Sequence, residues 1–209
     1  MGDVLIWIAV IALSYAYGAV PWGLVIARAT RGIDIRDYGS GNIGFTNALR
    51  VLPLPFALAV FALDLSKGVA PILLSRLVLD DAPLQASAGV AAIVGHVWPV
   101  FLRFKGGKGV ATAAGGAFVL APLPLLGLAA IALPFMFFTR YMSLTILIFA
   151  PLVSVVVLVL AILGLSQWAF FAYMAAGTLI IVFRHQENIA RLRAGTESRL
   201  GQRAQRSAV

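Results

Sequence analysis

The stretch VATAAGGAFVLAPLPLLGLAAIALPFMFFT, residues 110–139, decides the fold, because its interpretation sets the number of membrane spans. It carries no charge and is longer than the ~20 apolar residues that cross a bilayer. Pro122 and Pro124 lie where a turn would divide it. Divided there, the block gives two short helices and the chain has seven spans. Undivided, it gives one long helix and the chain has six.

The distribution of basic residues favours the division. With seven spans, the loops at 28–50, 103–109 and 140–141 and the tail from 184 onward face one compartment. That compartment then holds all 16 lysines and arginines except Lys67 and Arg76. The residues it holds are Arg28, Arg31, Arg36, Arg50, Arg103, Lys105, Lys108, Arg140, Arg184, Arg191, Arg193, Arg199, Arg203 and Arg206. By the positive-inside rule, the N-terminus is expected outside and the C-terminus in the cytoplasm.

Composition agrees with a membrane protein. The 209 residues are 61% hydrophobic and 11% charged, with a mean hydropathy of +0.97; a soluble domain carries roughly a quarter of its residues as charges. The chain has no cysteine, which excludes disulfides, thiolate metal sites and a cysteine nucleophile. The first apolar segment follows Asp3 without a basic region, so we interpret it as a retained span rather than a signal peptide.

The predicted fold is therefore an all-α integral membrane protein with seven transmembrane helices. We treat residues 1–209 as a single polytopic domain, since no internal repeat or long linker is evident. The predicted cytoplasmic motif loops are 28–50, 103–109 and 184–209. The predicted spans are 4–27, 52–79, 84–102, 110–121, 123–139, 142–163 and 167–183.

The first polar motif is GSGNIGFTNALR, residues 39–50, between two apolar spans. Its small residues let the backbone approach a ligand, and its hydroxyl, amide and guanidinium groups suit phosphate oxygens. A helix start needs only one capping side chain. This motif offers four such side chains and an arginine, and the surplus favours phosphate binding. The candidate residues are Ser40, Asn42, Thr46, Asn47 and Arg50.

The second motif is the glycine-rich turn RFKGGKG, residues 103–109. A glycine-rich loop that opens a helix presents free N–H groups and a favourable dipole to phosphate; the alternative is a flexible loop with lysines that set topology. The turn is not a Walker A loop, because Leu102 and Gly109 stand where that pattern needs glycine and a hydroxyl. Nucleotide binding is therefore not predicted.

Histidines mark the remaining candidates. His185 follows the last span beside Glu187 and Asn188, and its position at a helix end suits proton transfer, although an interfacial structural role is the alternative. His96 lies near the end of an apolar span, where it is either a structural residue or a functional one. Asp64 and Lys67, three residues apart, are expected to neutralise each other on one helix face.

Three motifs together resemble the bacterial acyl-phosphate-dependent glycerol-3-phosphate acyltransferases. They are GSGNIGFTNALR, then GHVWPVFLRFKGGKGVAT, then RHQENIARLRAGTE, in this order and spacing, and LDLSKG and RYMSL are also similar. Phe45 and the basic tail depart slightly from the family pattern. The resemblance implies transfer of a fatty acyl group from acyl phosphate to sn-glycerol 3-phosphate, giving 1-acyl-sn-glycerol 3-phosphate (lysophosphatidic acid) and inorganic phosphate.

We assign the candidate site residues by the role that this reaction implies. The catalytic candidates are His185, Asn188 and Lys108, with the proton accepted either by His185 or by the substrate phosphate. Glycerol 3-phosphate is assigned to Ser40, Asn42, Thr46, Asn47, Arg50 and Ser143. Acyl phosphate is assigned to Lys105, Gly106, Gly107, Gly109, Thr112 and His96, where the glycine amides would face the leaving phosphate.

The resemblance also implies the surroundings of the reaction. The protein is expected in the bacterial inner membrane, with its site on the cytoplasmic face and membrane lipids around it. A mixed anhydride has a good leaving group, so no covalent enzyme nucleophile is needed. No metal, cofactor, nucleotide or nucleic acid is expected. The alternatives are a transporter of a phosphorylated solute, which would place polar groups at several depths, and a non-catalytic lipid anchor, which leaves the three motifs unexplained.

Overall fold

The computed structural model describes residues 2–202; Arg203 and Arg206 of the predicted basic tail lie outside them. All regular structure in this range is helical, so the prediction of an all-α fold is confirmed for the described residues. Short 3₁₀ turns occupy Ile35–Asp37 and Val100–Leu102. The α-helices are α1 (Gly2–Gly18), α2 (Trp22–Arg31), α3 (Phe45–Val51), α4 (Leu54–Val78), α5 (Ala82–Val97), α6 (Val110–Leu120), α7 (Pro122–Thr139), α8 (Met142–Ile162), α9 (Trp168–Arg184) and α10 (Gln186–Arg193).

Within the described residues, five helical segments are long and apolar enough to cross a membrane. They are Gly2–Arg31, Leu54–Val78, Ala82–Leu102, Pro122–Thr139 and Met142–Ile162. Helices α9 and α10, bent by 57° at His185, make a sixth when counted as one pair. The protein is thus a multi-pass membrane protein, and the count of seven spans requires the shorter α6 as well.

Prolines account for two differences from the predicted spans. The first predicted span, 4–27, is divided between α1 and α2, and Pro21 stands directly before α2. The second, predicted to begin at residue 52, begins at Leu54 because Pro53 separates it from the short helix α3. Proline lacks a backbone N–H and cannot continue the hydrogen-bond ladder of a preceding helix.

The block at residues 110–139 is divided at Ala121, which ends α6 and precedes Pro122 at the start of α7. Helix α6 has 11 residues, so it spans only about 16 Å. It packs against α4, α5 and α9, and Thr112 Oγ1 donates to the Asp64 carbonyl at 3.0 Å. Neighbouring helices therefore cover this short element.

The remaining helices form layers around α4 and α5. Helix α4 packs against α1, α5 and α6, and α9 packs against α5 and α8. Helix α7 contacts α6 and α8 but contains no buried residue; Leu123 and Phe138 are each 82% exposed. A helix that is apolar and exposed all along its length is expected to face lipid.

Candidate functional site

The polar motifs converge at one end of the helix bundle, where side-chain hydrogen bonds join five segments of the chain. Thr46 Oγ1 of α3 donates to Met142 Sδ at the start of α8, at 2.8 Å. Ser143 Oγ donates to Glu197 Oε1 at 2.8 Å, which brings the end of the chain against α8. Lys108 Nζ donates to Asn188 Oδ1, which joins the glycine-rich turn to α10.

The first motif is built around the buried side chain of Asn47. Its Nδ2 donates to three backbone carbonyls, those of Ile35, Tyr38 and Asn42, at 2.8–3.0 Å. Its Oδ1 accepts from the backbone N–H of Ser40 at 3.0 Å. The polar atoms of Asn47 are therefore engaged within the loop. Only 1% of the residue is exposed, so in this structure Asn47 holds the loop together, and its expected contact with substrate stays a prediction.

The other candidates of this motif remain nearer to solvent. Ser40 is exposed, and Arg50 is half-buried on the last turn of α3. Asn42 accepts from the backbone N–H of Gly44 at 3.0 Å through its Oδ1. Burial lowers the pKa of Arg50, the carboxylate of Glu197 raises it, and the charge of Arg191 lowers it. Arg50 therefore lies within electrostatic range of the C-terminal motif.

The glycine-rich turn differs from the expectation in one respect that matters for binding. The N–H of Gly106 donates to the Val97 carbonyl at 3.1 Å, and the N–H of Gly107 donates to the His96 carbonyl at 3.0 Å. Both amides are used to dock the turn on the end of α5. In this arrangement neither amide is free to donate to acyl phosphate, and their role in binding it stays a prediction.

Arg184 holds the other side of the same turn. Its Nη2 donates to the Gly106 carbonyl and its Nε to the Gly107 carbonyl, each at 3.3 Å. Both peptide groups are thus fixed between α5 and the end of α9. Lys105, which was expected to bind acyl phosphate, is exposed on the outer side of the turn.

The first turn of α6 offers the backbone donors that Gly106 and Gly107 do not. Gly109 precedes α6 with φ 79, a left-handed conformation that glycine adopts without steric cost. The first N–H groups of a helix have no partner within it. None of the N–H groups from Lys108 to Ala111 donates to another group in residues 2–202. Together with the helix dipole, they form a site suited to an anion.

A buried ionic cluster lies beneath the turn. Lys67 Nζ donates to Asp64 Oδ1 at 2.8 Å and lies 3.2 Å from His96 Nδ1. The exposed fractions of these side chains are 0%, 2% and 3% for Lys67, Asp64 and His96. The expected mutual neutralisation of Asp64 and Lys67 agrees with this geometry.

His96 supports the turn from below, because a methyl group added to Gly107 would overlap its imidazole ring. His96 therefore packs directly against the turn, and its expected contact with acyl phosphate stays a prediction. Thr112 is fully buried, and its hydroxyl donates to the Asp64 carbonyl.

Glu197 is the centre of the C-terminal motif. Its Oε1 accepts from Ser143 Oγ at 2.8 Å and from Asn188 Nδ2 at 2.6 Å. Its Oε2 accepts from Arg191 Nε at 2.8 Å. Burial alone would raise the pKa of Glu197, but these three hydrogen bonds outweigh it and lower the pKa. Glu197 is therefore an anion at neutral pH and orients the partner of Lys108.

Lys108 occupies a mixed electrostatic environment. Burial lowers the pKa of Lys108 to about 8, and the positive charge of Arg191 lowers it further. The negative charges of Glu197 and Glu187 raise it in part. A lysine with this pKa is still largely charged at neutral pH. It carries a positive charge beside the free amides of α6.

His185 is buried, with 2% of the residue exposed. Its Nδ1 lies 2.7 Å from the Ile181 carbonyl, and because a carbonyl only accepts, Nδ1 carries the proton. Burial and the charge of Lys108 lower the pKa of His185 to about 4. The ring is therefore neutral at pH 7. Its Nε2 has no hydrogen-bond partner among the described residues and presents a lone pair.

The end of the described chain folds back over the turn between α7 and α8. The backbone N–H of Leu200 donates to the Arg140 carbonyl at 2.7 Å, and Arg140 Nη2 donates to the Leu200 carbonyl at 2.9 Å. Arg199 Nε donates to Tyr141 Oη at 3.2 Å, and its guanidinium lies 5.4 Å from the ring centroid. These contacts hold Glu197 beside Ser143.

An apolar cavity of about 240 Å³ lies between α6, α7, α8 and α9. Its lining includes Val110, next to Gly109, and Ile181, whose carbonyl accepts from His185. From there it continues along the helices to Leu125 and Tyr173. The polar site and this cavity are therefore adjacent. A molecule with an anionic head and an apolar tail needs such an arrangement to bind.

Three residues of the site are not among the catalytic or binding residues that the sequence predicts. Glu197 and Arg191 organise Asn188, and Arg184 holds the glycine-rich turn. The signal available was their presence in the polar motif at residues 184–197. Which side chain each one contacts depends on the arrangement of the helices.

Comparisons with known proteins agree with these observations. The family model described as Glycerol-3-phosphate acyltransferase matches residues 8–195. A glycerol-3-phosphate acyltransferase of Shouchella clausii is 43% identical over 200 residues, covering 94% of this chain and 97% of its own. One of Halalkalibacterium halodurans is 41% identical over 206 residues, covering 94% and 96%.

Solved structures are also similar. The chain matches the crystal structure of PlsY (YgiH), an integral membrane glycerol 3-phosphate acyltransferase, in its glycerol 3-phosphate form, with a TM-score of 0.85 and 35% identity. The match covers 93% of this chain and 96% of the other. The lysophosphatidic acid form of PlsY matches with a TM-score of 0.83 and 34% identity, covering 93% and 95%.

Proposed function

The chain belongs to the glycerol-3-phosphate acyltransferase family, and from this premise we propose that it acylates sn-glycerol 3-phosphate with acyl phosphate as the donor. The products are 1-acyl-sn-glycerol 3-phosphate and inorganic phosphate, and the reaction begins phospholipid synthesis. The observation that carries the proposal is the junction between the polar site at Lys108 and His185 and the apolar cavity at Val110 and Ile181.

Acyl phosphate combines the two properties of this junction. Its fatty chain lies in the apolar cavity, and its phosphate lies at the first turn of α6, where the amides from Lys108 to Ala111 are free. As the phosphate leaves, negative charge grows on its oxygens. Donors that already point at that charge stabilise the transition state without reorganising.

Glycerol 3-phosphate enters from the water side, where its phosphate is bound by Arg50 and Lys108, with Ser40 as a hydroxyl donor. Ser143 joins them when its hydroxyl turns from Glu197 to the phosphate. This arrangement suits a dianion, because a guanidinium offers paired donors to phosphate oxygens. Asn42, Thr46 and Lys105 are secondary candidates at the rim of the site. The glycerol hydroxyl is oriented by Asn188, which Glu197 holds at 2.6 Å.

The reaction is a direct acyl transfer. The oxygen of the glycerol hydroxyl attacks the acyl carbonyl carbon and forms the ester bond. The bond from that carbon to the phosphate oxygen breaks, and its electron pair leaves with the phosphate. The hydroxyl proton passes to Nε2 of His185 or to a phosphate oxygen of the substrate. A mixed anhydride needs no covalent enzyme intermediate.

We propose that the membrane arrangement is the one that charge predicts. Seven spans, with α6 counted as one, put the N-terminus outside and the C-terminus in the cytoplasm. The site then lies on the cytoplasmic face of the bacterial inner membrane. Accessibility labelling of cysteines introduced at Lys105 and Arg193 tests this, since both must react from the cytoplasmic side.

The test of the proposed function is a product assay. Purified protein in detergent is mixed with palmitoyl phosphate and glycerol 3-phosphate, and phosphate release and lysophosphatidic acid are measured together. Equal amounts of both products are expected, with none when palmitoyl-CoA replaces palmitoyl phosphate. Phosphate release without the lipid product, or equal use of the thioester, would contradict the proposal.

A further inference from the structure

The arginines around the first motif fall into two groups. Arg28 and Arg36 both pair with Asp34, whose Oδ2 lies 3.2 Å and 2.7 Å from their guanidinium nitrogens. Arg31 and Arg50 have no hydrogen bond or ion pair with any group in residues 2–202. Two of the four cations thus have a structural partner, and two do not.

The two unpaired arginines line the same cavity. It has a volume of about 310 Å³, and its other lining residues are Ile33, Tyr38 and Val51. This volume is at the lower end of the range that holds small-molecule ligands. Arg31 ends α2 and is exposed, whereas Arg50 is half-buried on α3. The cavity therefore joins an arginine exposed to water with one that is half-buried.

Arg50 is the more buried of the two arginines and has no bonded partner among the described residues. Because it is half-buried, its charge is partly removed from water, and this burial lowers its pKa. A charge withdrawn from water without a bonded partner is costly unless an opposite charge completes the site. A phosphate group matches two guanidiniums and a phenol, because it offers several acceptor oxygens and up to two negative charges.

We propose that Arg31, Tyr38 and Arg50 form an outer subsite that binds a phosphate group before it reaches Lys108. The inference rests on the proposed function, and it adds a binding step ahead of the reaction site. Arg50 is shared between the two locations, because Glu197 and Arg191 of the inner network act on its charge. The phosphate belongs either to glycerol 3-phosphate arriving from water or to the headgroup of a membrane lipid.

A subsite of this kind has a specific kinetic signature. Charges at the rim of a binding site change the association rate and its dependence on salt more than they change the rates of later steps. Loss of Arg31 should therefore raise the KM for glycerol 3-phosphate and leave kcat and the KM for acyl phosphate unchanged. A residue that only stabilised the fold would not separate the two substrates.

The experiment compares Arg31→Gln with the matched control Arg28→Gln. Both remove one exposed arginine from α2, but Arg28 has Asp34 as its partner and does not line the cavity. For Arg31→Gln we expect the KM for glycerol 3-phosphate to rise about three- to tenfold, as for the loss of one charged contact. Its dependence on salt should weaken in the same variant. The control should retain both properties.

Two membrane conditions distinguish the sources of the phosphate. The assay is run in detergent without phospholipid and in nanodiscs with and without anionic lipid. A KM defect of Arg31→Gln in detergent assigns the subsite to glycerol 3-phosphate. A defect that occurs only in anionic nanodiscs assigns it to a lipid headgroup.

Kinetics of Arg31→Gln that match those of Arg28→Gln in all three conditions would overturn the inference. Tyr38→Phe provides a second variant that removes only the phenol oxygen. Failure of the wild-type protein to form product would instead count against the proposed function.

Discussion

The Nδ1–H group of His185 donates a hydrogen bond to the Ile181 carbonyl at 2.7 Å. This bond determines the tautomer, so the lone pair of Nε2 faces away from the carbonyl. Since burial and the charge of Lys108 lower the pKa of His185 to about 4, the ring is always available as a base at neutral pH. It is, however, a weaker base than an exposed histidine.

We predict that His185→Ala lowers kcat by on the order of 10²–10⁴ if the imidazole accepts the proton. A lowered pKa means that neutral His185 is present above pH 4 and lost as pH falls through that value. With His185 as the base, kcat should fall only near pH 4. With the substrate phosphate as the base, kcat should fall below about pH 6, and His185→Ala should lose much less activity. Steady-state rates across this range separate the two routes.

The charge of Lys108 predicts how kcat/KM changes at high pH. Its pKa of about 8 means that the ammonium is present below pH 8 and lost above it, so kcat/KM should decline through pH 8. Lys108→Arg should remove this decline, because a guanidinium stays charged. Lys108→Ala should abolish turnover while the protein still inserts and purifies normally. An active Lys108→Ala variant would remove the turn from the mechanism.

Gly107 lies against the ring of His96, so a methyl group there would overlap the imidazole. We expect Gly107→Ala to displace the turn and to destabilise the protein by about 1–3 kcal/mol, with a larger loss of activity. Gly127→Ala in α7 is the matched control, because nothing lies within 4 Å of the added carbon. The thermal midpoint in detergent and the rate of product formation are compared. A Gly107→Ala variant with wild-type kinetics would show that the position of the turn is unimportant.

Glu197 connects Ser143, Asn188 and Arg191. Glu197→Ala leaves these groups without their acceptor and should destabilise the protein by about 2–4 kcal/mol. Glu197→Gln keeps the shape and one acceptor oxygen, so it should lose less stability but still misplace Asn188. Thermal midpoints and kcat for the two variants provide the check. Equal stability of Glu197→Ala and the wild type would contradict the central position of this carboxylate.

The apolar cavity makes a prediction about chain length. Ala114 lines it, and Ala114→Phe should fill it, so the rate with palmitoyl phosphate should fall more than the rate with octanoyl phosphate. Val155→Phe on α8 is the control, since Val155 is 53% exposed and does not line the cavity. Rates for the two donors are compared in each variant. An equal loss for both donors in Ala114→Phe would argue against this cavity as the acyl site.

Several features were predictable from the sequence because their causes are local. Long uncharged segments indicate membrane helices, and the prolines after Ala121 predict the break between α6 and α7, which the structure contains. The asymmetry of basic residues likewise predicts a topology without knowledge of any contact, and that topology stays a prediction. The three polar motifs indicated the region of the site in the same way, because few other segments of the chain are polar.

Only the tertiary structure decided how each polar group is used. Within the glycine-rich turn, Gly106 and Gly107 have their amides bonded to α5, while the amides that open α6 are free. The side chain of Asn47 bonds to backbone groups of its own loop, whereas Asn188 contacts Lys108, which is 80 residues away in the chain. The physical reason is that a hydrogen bond is satisfied by whichever partner the packing of helices brings within about 3 Å. That proximity arises between segments distant in the chain, which no local pattern of residues encodes.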